Sequence, residues 1–74
     1  MELELLNDNV LLQGPEIIKG LIRATVVLVA KDVAKVREGD VVLYKPNDSW
    51  VPMDYDGAEK ILISAAYLVG IEKP

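Results

Sequence analysis

A chain of 74 residues, 51% hydrophobic and 27% charged, has room for one core and is too apolar to stay disordered. Its net charge of −4, with eight basic residues spread among twelve acidic ones, excludes a basic stripe for nucleic acid. Cysteine and histidine are both absent, which excludes disulfides, thiolate metal sites and imidazole catalysis.

In chain order, the pattern Glu2-Leu3-Glu4-Leu5 alternates in period two, pauses at Asn7-Asp8-Asn9 and resumes at Val10-Leu11-Leu12, which predicts strand, turn, strand. The acidic start lacks the positive charge of a signal peptide, and no apolar run approaches the roughly 20 residues of a membrane span. A cytoplasmic location with no membrane partner is expected. Gly14 to Gly20 is bracketed by glycines and opened by Pro15, so a loop is predicted there, with Ile17 and Ile18 as its unusual apolar pair. Leu21 to Val29 is rich in β-branched residues and predicts a long strand. Residues 30–36 are too short for a stable helix and predict a connection.

Arg37-Glu38-Gly39-Asp40 reads as a turn into strand 41–44, and Pro46-Asn47-Asp48-Ser49 ends that strand. Trp50 to Tyr55 and Lys60 to Ser64 predict a hairpin around Asp56-Gly57, and Tyr67 to Glu72 a final strand. Short strands at close spacing with almost no helical period define an all-β chain, a small barrel or sandwich.

Few residues invite chemistry. Glu2, Glu4, Asp54, Asp56 and Glu59 are the carboxylates that an acid–base pair would draw on, but a barrel this small is filled by its own side chains, so no enzyme, no cofactor and no metal are expected. Asp54-Tyr55-Asp56 lacks the spaced carboxylates of a calcium loop. The corner at Gly39 reads as structural, with its charges in solvent. Tyr44 and Trp50 are assigned to the core or an interface, and Ile17 and Ile18 either to an exposed docking dipeptide or to the core. Asn47-Asp48-Ser49 fits a glycosylation sequon, which has no meaning without a secretory signal.

Three segments resemble the GroES-like co-chaperonin (chaperonin-10) family. Leu6-Asn7-Asp8-Asn9-Val10-Leu11-Leu12 is similar to that family's opening strand, with Asn9 where an arginine is usual. Val36-Arg37-Glu38-Gly39-Asp40-Val41-Val42-Leu43-Tyr44 is similar to its Gly-Asp strand entry, and Tyr67-Leu68-Val69-Gly70-Ile71-Glu72 to its closing strand. The resemblance implies a small GroES-like β-barrel, a subunit of a homo-oligomeric sevenfold ring in which the first strand of one copy pairs with the last strand of the next. Leu3, Leu5, Leu68, Val69 and Ile71 would then be interface residues. It also implies docking on a GroEL-like chaperonin through Glu16, Ile17 and Ile18, the remnant of a much longer family loop; the family's roof hairpin has no room between Val29 and Val36. Two alternatives stand beside this: a structural or adaptor ring, for example of a phage or another assembly, and a monomeric barrel of the alcohol dehydrogenase-like type, whose zinc ligands are missing here.

Overall fold

The computed structural model describes residues 3–72 and shows one antiparallel sheet of six strands. These are β1 (Asn9–Ile18), β2 (Leu21–Val29), β3 (Val41–Tyr44), β4 (Val51–Tyr55), β5 (Ala58–Ser64) and β6 (Leu68–Glu72), with one short 3-10 turn at Ala65–Tyr67. Their order across the sheet is β4-β5-β1-β2-β3-β6, so β1 is flanked on both sides and β4 and β6 stand at the ends.

The β-branched run of β2 fits this central position, because such side chains pack well on a pleated surface. Alternation is broken once. Leu11 pairs with Leu28 and Leu12 with Val26, leaving Val27 as an extra residue opposite β1. The bulge flips the parity of β2, so Ala24 and Val26 on one side of it and Val29 on the other all join the same cluster.

That first cluster collects Val10, Leu12, Ala24, Val26, Val36, Val42, Tyr44 and Ile63, with Leu68 and Ile71 packed against it. Five strands therefore turn one face toward a single core. A second, smaller cluster on the other side of β1 holds Leu5, Leu11 and Ala30, and is joined by Leu3, Met53 and Tyr55.

Asp56 and Gly57 have φ of 53° and 84°, the left-handed pair of a two-residue hairpin turn, as the Asp-Gly dipeptide predicts. The corner at Gly39 is equally legible. Gly39 has φ 93°, Arg37 N–H donates to Asp40 Oδ2 at 3.0 Å, and Val26 N–H donates to Asp40 C=O at 2.8 Å. Its work is to pin the entry of β3 onto β2. Asn47 likewise spends its side chain on a local turn, accepting from Ser49 N–H at 2.8 Å.

Three expectations are corrected. Residues 3–6 belong to no strand; Leu5 drops into the second cluster instead, so the alternation of that segment is satisfied by packing on a face rather than by pairing. Glu2 lies outside the described residues. Gly14 to Gly20 is no loop: β1 runs to Ile18, and the glycine and proline that suggested a break form a bulge between the pairs Gln13–Thr25 and Glu16–Arg23. Tyr67 closes the 3-10 turn, and β6 begins one residue later.

Asp54 and Glu59 face each other directly across β4 and β5, both exposed. Like charges in that position repel, so Glu59→Lys is expected to raise stability by about 0.2–1 kcal/mol, as read by urea denaturation, and the gain should shrink in 1 M salt.

Candidate functional site

The pairing of β1 with β5 stops at Leu12–Ile61, while its pairing with β2 continues to Ile18–Leu21. The far half of the β1–β2 hairpin therefore has a free edge along Gln13–Ile18, closed at its root by Lys60 Nζ donating to Gln13 Oε1 at 2.9 Å. At the tip, Lys19 and Gly20 take φ of 48° and 86°, a tight two-residue turn that holds the hairpin without a loop.

Ile17 sits opposite Ile22, which itself pairs with Tyr44 and packs on the first cluster. Cross-strand partners share a face, so Ile17 continues the core face of the sheet beyond the last neighbour able to cover it. It is 80% exposed, while Ile18 is half-buried and Glu16 exposed.

Arg23, opposite Glu16, ties this hairpin to the closing strand. Its Nη2 donates to Glu72 Oε1 at 2.9 Å and its Nε lies 2.8 Å from Oε2, placed for charge contact rather than for a hydrogen bond. Glu16 Oε1 is further away, 4.0 Å from Nη1. A charged residue inside an otherwise apolar run was the sequence signal for this bridge, and only the sheet order shows that its partner is 49 residues away.

The expected interface residues fall in two places. Leu5 is 7% exposed within its own chain and Leu3 is half-buried beside it. Val69, on β6, is 53% exposed, whereas Leu68 and Ile71 are half-buried against the first cluster. Beside β6 runs an apolar groove of about 640 Å³, walled by the 32–36 connection and by Leu68, Val69 and Ile71, with Asp8 among the residues that line it.

Among the described residues, unpaired stretches of strand edge differ in what they carry. The free part of β1 carries Pro15 and Glu16, and β4 carries Pro52 and Asp54; prolines and charges protect edges against uncontrolled pairing. The outer edge of β6 has neither from Leu68 to Ile71, its one charge being Glu72 at the end of the strand, held by Arg23.

Of the two aromatic residues assigned to core or interface, Tyr44 is fully buried, and burial raises its phenol pKa above the usual 10.0. Trp50 is 41% exposed next to Ser49, whose Oγ accepts from Tyr67 Oη at 2.9 Å. Asp54 and Asp56 line a shallow hollow with Leu3 and Met53, and among the described residues no three carboxylates gather as a metal site would need. Nor is any helix there long and apolar enough to cross a membrane.

Comparison with protein-family models, with curated proteins and with solved structures finds no match to the chain.

Proposed function

We propose that the chain is a small GroES-like barrel that assembles into a homo-oligomeric ring of the co-chaperonin type and docks on a chaperonin through Glu16, Ile17 and Ile18. One observation carries the docking half: Ile17 is held 80% exposed at the end of a hairpin with a two-residue turn. An apolar side chain presented by a rigid element loses little freedom on binding, and a ring repeats the weak contact around its axis. Convergence of five strands on one cluster supports the barrel. The unguarded edge of β6, beside an apolar groove, supports a seat for the strand-patterned residues 3–5 of a neighbouring copy. The protein then acts by binding and catalyses no covalent step.

A second reading keeps the ring and replaces the chaperonin with another assembly. It is favoured by the brevity of the hairpin, whose turn is two residues, and by the absence of any strand between Val29 and Val41.

Native mass spectrometry of the protein alone, then with an ATP-loaded chaperonin, separates the two. The expected result is a ring that adds to the chaperonin, with Ile17→Ser weakening each contact roughly tenfold to a hundredfold, the loss of about 1.5–3 kcal/mol of apolar burial, and weakening the binding of the whole ring by more. Because Ile17 is so exposed, this variant should fold normally. Unchanged binding by Ile17→Ser overturns the docking role, and a ring that ignores the chaperonin supports the adaptor reading.

A further inference from the structure

Residues 3–6 carry the pattern of a strand and have no strand partner, and β6 has an unguarded edge with no neighbour. We propose that this segment is an intramolecular latch: docked on its own chain it keeps the subunit out of the ring, and assembly begins when it leaves. The inference rests on the ring reading above and adds a control step that the reading does not contain.

What holds the segment is side-chain packing. Leu5 is buried against Leu11 and Ala30, Leu3 packs on the same cluster, and Glu4 Oε2 lies 3.7 Å from Lys31 Nζ. Among the described residues, the backbone of residues 3–5 makes no backbone hydrogen bond. Releasing it breaks no ladder.

Below it the chain is fixed. Ser64 Oγ donates to Asp8 Oδ2 at 2.6 Å, and Ala65 N–H donates to Asp8 C=O at 2.7 Å. Between the fixed and the packed parts the chain turns at Asn7, φ 64°, and we place the pivot at this turn. Rotation there swings residues 3–6 away while Asp8, Asn9 and the sheet stay in place, and breaks the two hydrogen bonds that Leu6 C=O accepts from Asn9, from Nδ2 at 2.8 Å and from N–H at 3.4 Å.

The two berths exclude each other, since Leu5 of one chain cannot fill its own second cluster and a neighbour's groove at once. They also communicate. Val33 packs against both clusters and lines the groove beside β6, so the second cluster, which loses Leu5 when the segment leaves, backs one wall of the seat that an incoming segment must enter.

The absence of native cysteine allows a direct test. Glu4→Cys with Lys31→Cys places two thiols at exposed positions whose side chains already meet. One sample is bridged with a short bis-maleimide and the other has each thiol capped separately; both are followed by native mass spectrometry over a concentration series, with circular dichroism to show that both are folded. The expected result is that the bridged protein stays monomeric to at least tenfold higher concentration than the capped one, and that Lys31→Glu, which repels Glu4, assembles at lower concentration than wild type. Equal assembly of bridged and capped protein overturns the latch while leaving the ring. Monomer in every sample, wild type included, overturns the ring and the latch with it.

Discussion

Leu12→Ala is expected to lower the midpoint of thermal unfolding by at least about 10 °C, followed by circular dichroism. Leu12 is fully buried where β1 is flanked on both sides, paired with Val26 on one side and Ile61 on the other, and its side chain belongs to the first cluster. Truncating a buried leucine costs about 2–5 kcal/mol, the spread reflecting how far the walls collapse. For a chain of this length the whole stability is about 4–11 kcal/mol, so the substitution removes a large part of it. Leu6→Ala, at a side chain 68% exposed, should stay within about 0.5 kcal/mol of wild type. A loss below about 1 kcal/mol for Leu12→Ala would show that the first cluster is loose enough to close over the gap, contrary to the packing described.

Stability is expected to fall steeply above pH 10, and Tyr44 is the residue that makes it do so. Burial raises its phenol pKa above the usual 10.0, so the folded chain keeps the proton in a range where the unfolded chain has lost it. The contribution is fully present below pH 10 and disappears as the pH climbs through the raised folded value, at a rate of at most about 1.4 kcal/mol per pH unit for one proton. Urea titrations at pH 8, 9, 10 and 11 would measure the slope. Tyr44→Phe should keep the neutral-pH stability close to wild type and flatten the alkaline limb; an unaltered limb would assign the loss to other groups.

Turn chemistry is what made most of the sheet legible from sequence. Asp56-Gly57 and the corner at Gly39 need backbone conformations that few residues accept, and both stand where those residues placed them. The strand from Leu21 to Val29 was equally plain, because a β-branched run has few other uses. The hairpin at Gly14–Gly20 was not, since a glycine and a proline read alike whether they end a strand or form a bulge within one; only the register with Thr25 and Arg23 tells them apart. Residues 3–6 show the opposite difficulty. Their alternation is that of a strand, but a strand needs an edge to join, and edges are a property of the assembled sheet. For the same reason the exposure of Ile17 was open from sequence: its neighbours are apolar, and its solvent contact follows from the pairing of β1 with β5 ending at Leu12–Ile61.

The order of the sheet also dictates when the protein can become itself during synthesis. β1 is made first among the strands and can zip onto β2 at once, yet its other side waits for Ile61–Ser64, and β3 waits for Leu68–Glu72. Until Ile61–Ser64 leave the ribosome, Val10, Leu11 and Leu12 have only half of their cover. Non-local pairings of this kind slow folding and leave apolar edges available to other nascent chains. The growing polypeptide should therefore depend on the cell's holding factors until residues 61–72 have emerged.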